Sequence, residues 1–180
     1  AVPEGGQLSV SVVVKAQNEV STKTYQVVIS RGASDVATLS ALAPSSGTLS
    51  PEFAVGTKEY TLAIGNAVTS VGFTSTLTHS GASLLANGAA VNSGQSSAMI
   101  NIPEGGSVTV PVKVTAQDGT TEETYLIAVT RAASANALLN GLTASGGVMS
   151  PSFSSSGESY TMSVGNAVGI VKVTPTAGNG

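Results

Sequence analysis

The strongest hydrophobic pattern in the chain is a strict alternation between residues 108 and 116. Four valines and an alanine occupy every second position there, and polar residues or proline lie between them. This period of two predicts a strand with one buried face. Pro111 falls on the polar side, which indicates an edge position or a bulge because proline cannot donate to a strand ladder.

A second alternating segment follows a short turn. Asp118-Gly119 is a hairpin turn signal. Beyond it, Tyr125, Ile127 and Val129 recur at every second position. The two segments therefore predict an antiparallel hairpin.

The rest of the pattern predicts further short strands and no helix. The alternating set Tyr60, Leu62 and Ile64 marks one strand, and Val71 with Phe73 marks another. Weaker candidates are Leu39–Leu42, Ala82–Leu85 and Ala98–Ile102. About seven short strands in about 100 residues predict an all-β fold, an immunoglobulin-like β-sandwich.

The sequence repeats itself at a spacing of 100 residues. Residues 2–34 align without a gap with residues 102–134, and residues 39–76 align with residues 139–176. The alignment predicts tandem sandwiches of about 100 residues each: the C-terminal part of one repeat at 1–34, a complete repeat at 35–133, and the N-terminal part of a following repeat at 134–180. Both partial copies lack a counterpart of residues 81–100. We therefore expect a longer parent, or two partial copies that complete each other.

Several motifs recur in a fixed order that resembles a known repeat. They are Gly47–Phe53, Tyr60-Thr61, the valine-rich strand, Gln117–Tyr125 and Val129–Arg131. This order resembles the cadherin-like β-sandwich domain of large surface proteins in bacteria and green algae. The resemblance implies a spacer or adhesive module outside the cell, without catalytic residues. The chain departs from the pattern at Asn18-Glu19, where Asp-Gly is expected, and this leaves the turn type there open.

Composition and charge narrow the possible partners. Hydrophobic residues make up 41% of the chain and charged ones 9%, which is the opposite of a disordered tail. The net charge is −3 and there is no basic patch, so nucleic acid is not an expected partner. There is no cysteine, and no apolar run approaches the ~20 residues of a membrane span. A secretion signal, if one exists, is expected outside these residues.

The candidate chemistry is sparse. His79 is the only histidine, and its counterpart in the next copy is Asn179, so we interpret it as a solvated loop residue rather than a catalytic or zinc-binding one. The acids are isolated apart from Glu122-Glu123, which argues against a calcium site at the repeat junctions. Pro-Glu-Gly-Gly at 3–6 and 103–106 predicts a turn leading into a strand. No catalytic, cofactor-binding or metal-binding residue is predicted.

The remaining hypothesis concerns assembly. The chain is predicted to be a non-enzymatic, extracellular structural module of a stalk, fibre or filament, in which the tail of one copy docks on the head of the next. The candidate interface residues are Tyr25, Arg31, Phe153 and Tyr160. The plainer alternatives are core tyrosines and a salt-bridged arginine at the repeat end. A rival function is recognition of a surface glycan or protein through loops 77–97, and another is an accessory module of a secreted enzyme.

Overall fold

The computed structural model describes residues 1–178, which fold into β-strands joined by turns. The all-β prediction is therefore confirmed. The chain divides into two compact units, Ala1–Ala132 and a second that begins at Ala133. Within residues 1–178, no helix is long and apolar enough to cross a membrane.

The first unit begins with an antiparallel pair of strands that belongs to no larger sheet. We call this pair, with the residues that flank it in the range 1–34, the tail hairpin. Its strands are β1 (Gln7–Lys15) and β2 (Thr22–Ser30). The two strands pair in register from Gln7 opposite Ser30 to Lys15 opposite Thr22. They form a two-stranded sheet of their own. The Pro3 carbonyl accepts from Gly6 N–H before β1, so the predicted turn is confirmed there.

The same unit continues into a complete sandwich of ten short strands. They are β3 (Leu39–Pro44), β4 (Leu49–Ser50), β5 (Glu59–Ile64), β6 (Ser70–Val71), β7 (Phe73–Leu77), β8 (Ser83–Ala86), β9 (Ala89–Ala90), β10 (Ile100–Asn101), β11 (Ser107–Thr115) and β12 (Glu122–Arg131). One layer is a six-stranded sheet in the order β4-β5-β12-β11-β8-β9. The pairs β3-β7 and β10-β6 supply the other strands, with a bridge between Thr74 and Ser96.

The period-two pattern places the valines of β11 in the core of this sandwich. Val110, Val112 and Val114 are all 0% exposed, whereas the residues between them are only partly covered. They lie in one buried cluster with Leu39 and Phe73. Burying each such side chain stabilises the fold by roughly 1.5–3 kcal/mol.

Pro111 lies where β11 loses its second neighbour. Pairing between β11 and β8 covers Val112 to Thr115 only. The Pro111 carbonyl accepts from Asn87 N–H, just past the end of β8. In an antiparallel strand the N and the C=O of one residue face the same neighbour, so the missing donor of Pro111 falls beyond β8. The prediction of an edge strand or bulge is therefore wrong for β11, an inner strand, which accommodates Pro111 because β8 ends beside it.

The second unit, which we call the head, reproduces the first strands of a repeat. Its strands are β13 (Leu139–Ala144), β14 (Gly147–Ser150), β15 (Thr161–Val164) and β16 (Val173–Ala177). β13 pairs with β16 as β3 pairs with β7, and β14 pairs with β15 as β4 pairs with β5. Asn179, the counterpart of His79, lies outside the described residues.

The hairpin turn predicted at Asp118-Gly119 is confirmed, and the tail hairpin keeps the same turn despite its different sequence. The Asp118 carboxylate accepts from Thr120 N–H and Thr121 N–H, both at 2.8 Å. Asn18 caps its own turn in the same way. Glu19 adopts φ 58°, close to the φ of 73° at Gly119, so it takes a conformation that favours glycine.

The capping bonds of Asp118 predict a pH-dependent contribution to stability. The Thr121 hydroxyl and the Thr121 and Thr120 amides lower the pKa of Asp118 to about 2. Because an unfolded aspartate titrates near ~3.9, the stabilisation is present above that pH and is lost as the pH falls toward 2. We expect urea denaturation between pH 4.5 and 2 to show a smaller loss of stability for Asp118→Asn than for the wild type. Parallel pH profiles for the two proteins would contradict this role.

Candidate assembly interface

The two halves of the complete repeat meet at one pair of parallel strands, which we call the intact seam. β5 pairs with β12 from Glu59 opposite Leu126 to Ile64 opposite Arg131. The Lys58 carbonyl accepts from Leu126 N–H at 2.7 Å. The seam therefore joins the first strands of the repeat to its last hairpin.

An aromatic cluster fills the inner side of the intact seam. Tyr125 is 0% exposed, and its ring centroid lies 6.3 Å from that of Phe53. Phe53 also stacks on Tyr60, with 6.2 Å between centroids. The Tyr125 hydroxyl accepts from Leu39 N–H at 3.0 Å, which holds the hydroxyl end of the side chain in place. Such pairs contribute about 0.5–1.5 kcal/mol beyond the area that they bury.

A lysine closes the rim of the intact seam. Lys58 Nζ lies 3.0 Å from Glu123 Oε2, donates to the Tyr125 hydroxyl at 3.1 Å, and sits 4.2 Å from the ring centroid of Tyr125. Burial lowers the pKa of Lys58, but the bonds to Glu123 and Tyr125 outweigh that effect and raise it overall. The positive charge is therefore stabilised where the two halves meet.

Arg131 anchors the end of the intact seam through hydrogen bonds to two other segments of the chain. Its Nε donates to the Asn66 carbonyl at 2.8 Å, and its Nη1 donates to the Ile102 carbonyl at 3.3 Å. The Ala132 N–H donates to the Ile64 carbonyl at 3.0 Å. The end of β12 is thus anchored by side-chain and backbone bonds.

The tail hairpin presents the same seam surface without cover. The exposed fractions of Tyr25, Val27 and Ile29 are 49%, 50% and 42%. Their counterparts in the complete sandwich are each 0% exposed. On the neighbouring strand, Val12 is 48% exposed. We call the open edge of β2, with this apolar face, the tail half-seam.

The head presents the other half of the surface. Phe153 lies 6.1 Å from Tyr160 between ring centroids, and the Tyr160 hydroxyl bonds to the backbone of Ser154 and Gly157. Val164 is 43% exposed, whereas its counterpart Ile64 is 5% exposed. We call the open edge of β15, with these side chains, the head half-seam.

A cavity of about 520 Å³ opens on the head half-seam. Leu139, Phe153 and Glu158 are among the residues that line it. Their counterparts in the complete sandwich are Leu39, Phe53 and Lys58, the residues that contact Tyr125. The cavity therefore corresponds in position to the site that a tyrosine fills in the intact seam.

Two of the four residues predicted at an interface lie in the tail hairpin and two in the head. Tyr25 and Arg31 belong to the tail hairpin, and Phe153 and Tyr160 pack together in the head. Arg31 Nη2 lies 3.4 Å from Glu4 Oε1 in its own hairpin, so the salt-bridge interpretation describes its present state.

A second polar cluster attaches the tail hairpin to the sandwich that follows it. Gln117 Oε1 accepts from Ser34 N–H at 3.0 Å, and its Nε2 donates to the Glu4 carbonyl at 3.4 Å. The Ser34 carbonyl accepts from Asp118 N–H at 3.0 Å. The sequence analysis missed this cluster, although Glu4 recurs in the repeat as Glu104 and Gln117 as Gln17.

His79 lies in a loop, as predicted, but it is not fully solvated. Its side chain is 22% exposed, and its Nε2 lies 3.0 Å from Glu4 Oε2 of the tail hairpin. A partner 75 residues away cannot be recognised from local sequence. The contact joins the loop after β7 to the residues that precede β1.

Gln117 gives a test of this attachment. Removing its side chain in Gln117→Ala leaves Ser34 N–H without an acceptor, at a net cost of about 1 kcal/mol. We expect hydrogen exchange at the Ser34 amide to become about fivefold faster. Gln17→Ala, at the equivalent place in the tail hairpin, is the control. Equal exchange rates in the two variants would contradict the role of Gln117.

Among residues 1–178, no group of three or more histidine, cysteine, aspartate or glutamate side chains could hold a metal ion.

The comparison with known families identifies the sandwich. The model of the cadherin-like beta sandwich domain matches residues 38–132, more than half of the chain. The chain belongs to the cadherin-like β-sandwich family. The matched region runs from just before β3 to just past β12, so it includes both strands of the intact seam. No curated protein matches the sequence significantly.

Membership in the cadherin-like family indicates the general kind of function and location of this protein. Cadherin-like β-sandwich domains are generally non-enzymatic and typically extracellular, and the chain is consistent with a structural or adhesion module.

Proposed function

We propose that this chain is an extracellular structural repeat module that assembles end to end, with the tail half-seam of one copy against the head half-seam of another. One observation carries the proposal. Tyr25, Val27 and Ile29 are 42–50% exposed, while the same positions in the intact seam are completely buried.

The physical argument concerns the isolated tail hairpin. A two-stranded hairpin is marginal in water, and its open edge is a template for another strand. Parallel addition of β15 to β2 would give both edges the partners that β5 and β12 have in the intact seam. The composite would also cover the apolar face of the hairpin.

The attachment of the tail hairpin supports a stalk or fibre rather than flexible beads. Ser34 and Asp118 share a backbone hydrogen bond, and Glu4 bonds to both Gln117 and His79. Because the link between the hairpin and the sandwich holds five bonded residues, we expect restricted bending there.

The proposal is tested by sedimentation of the 180-residue chain over a range of concentrations, with intact mass and negative-stain microscopy of the same samples. We expect the average mass to rise with concentration and filaments to appear. A single-chain mass at every concentration would reject end-to-end assembly.

A second candidate function is ligand recognition by residues 77–97. These residues contain the β8-β9 hairpin and border a depression of about 380 Å³ lined by Leu77, Ser80, Asn92 and Ser93, among others. Hydroxyl and amide groups suit a glycan. Saturable binding on a glycan array that is lost in Asn92→Ala would favour this function.

A further inference from the structure

The rim charge of the seam is reversed between the complete repeat and the two partial copies. In the intact seam, Lys58 on the first-strand side meets Glu123 on the hairpin side at 3.0 Å. At the positions 100 residues away, the hairpin carries Lys23 and the head carries Glu158. Both residues have changed sign together, so an opposite-charge pair is preserved.

The reversal discriminates among the possible partners. The head of the complete repeat would place Lys58 opposite Lys23 if it met the tail hairpin. The head at β13–β16 would place Glu158 opposite Glu123 if it met β12. Opposite charges meet only in the pairs Lys58–Glu123 and Lys23–Glu158. The other two combinations place like charges across the interface, which disfavours them.

We infer that the Lys23–Glu158 pair selects the head of a second copy of this chain as the partner of the tail half-seam. The inference rests on the proposed end-to-end assembly and adds the group that makes it specific. It also fixes a parallel register, in which Val27 lies opposite Tyr160 and Ile29 opposite Met162, as Ile127 and Val129 lie opposite Tyr60 and Leu62.

The surroundings of both residues suit this pair. Lys23 Nζ already lies 5.3 Å from the ring centroid of Tyr25, as Lys58 lies over Tyr125. Glu158 lines the head cavity that corresponds to the site of Tyr125. Insertion of the Tyr25 ring into that cavity would therefore bring the Lys23 ammonium toward the Glu158 carboxylate.

Charge-reversal variants of the 180-residue chain test the inference by sedimentation. Lys23→Glu gives a chain whose two half-seams are both acidic, and Glu158→Lys gives one whose half-seams are both basic. We expect each variant alone to associate about tenfold more weakly than the wild type at 0.15 M salt. The defect should shrink at 1 M salt, where the screening length falls from about 8 Å to about 3 Å.

Two mixtures complete the design. The double variant Lys23→Glu/Glu158→Lys should recover wild-type association to within about threefold, because the pair is again of opposite sign. An equimolar mixture of the two single variants should also recover it, since every seam between unlike chains is complementary. Lys15→Glu, the same charge change at the turn of the tail hairpin, should have no effect.

The outcomes separate this inference from the proposed function. If the wild type does not associate, the end-to-end assembly itself is rejected. If the wild type associates and both single variants associate equally well, assembly stands and the charge selection is overturned. Failure of both the mixture and the double variant to recover association would also overturn it.

Discussion

Replacing Ile29 by lysine is expected to abolish association between chains and to leave the sandwich as stable as before. Ile29 is 42% exposed on the tail half-seam, whereas its counterpart Val129 is fully buried in the intact seam. In a composite seam the new ammonium group would be buried without a partner, which is costly. We expect association to weaken at least about a hundredfold in sedimentation.

The matched control for Ile29→Lys lies on the other face of the same hairpin. Val13 is 62% exposed, and its counterpart in the complete sandwich is Lys113, whose Nζ lies 2.7 Å from Glu122. Val13→Lys adds the same charge where a repeat of this chain already tolerates it. Equal loss of association in the two variants would show a general effect of charge and would contradict the half-seam.

Truncating the two equivalent tyrosines, Tyr125 and Tyr25, is expected to affect the free energy of unfolding very differently. Tyr125 is fully buried, contacts Phe53 and accepts from Leu39 N–H, so Tyr125→Ala should lower the free energy of unfolding by about 3–5 kcal/mol. Tyr25 is 49% exposed, so Tyr25→Ala should change the stability of the sandwich by less than about 0.5 kcal/mol. Chemical denaturation of both variants measures the difference.

The same tyrosine pair also separates folding from assembly. If Tyr25 fills the head cavity of a second copy, Tyr25→Ala should weaken association by at least about 2 kcal/mol, or roughly thirtyfold. A variant that folds normally and associates like the wild type would remove Tyr25 from the interface. Unchanged stability of Tyr125→Ala would contradict its place in the core.

Local patterns in the sequence were enough to predict the long strands. The alternation of Val110, Val112 and Val114 predicts β11, and Asp118-Gly119 predicts the turn before β12, because both signals depend on neighbouring residues. The two-residue strands were harder to predict from the sequence. β4 contains too few residues to show a period. Val71 and Phe73 were expected in one strand, but they belong to β6 and β7, which pair with β10 and β3 respectively.

Some residues of the proposed interface could be recognised only from the structure, because they are identified by contacts between distant parts of the chain. Tyr25 and Phe153 could be proposed from the repeat, because aromatic residues recur at fixed positions. Lys23 and Glu158 could not, since their counterparts have opposite charges and only the contact between Lys58 and Glu123 shows that these positions meet. The tie between Glu4 and His79 likewise joins residues 75 positions apart.

Crosslinking across the composite seam tests the central claim most directly, and the chain contains no cysteine that would interfere. Thr130 pairs with Ala63 in the intact seam, so Ser30 of one copy should lie opposite Ser163 of another, about 5 Å apart between Cα atoms. We predict that oxidising a mixture of Ser30→Cys and Ser163→Cys chains gives a disulfide-linked dimer of unlike chains. Ser11→Cys, on β1, replaces Ser30→Cys in the control mixture. No more linked dimer than in that control would contradict the end-to-end seam.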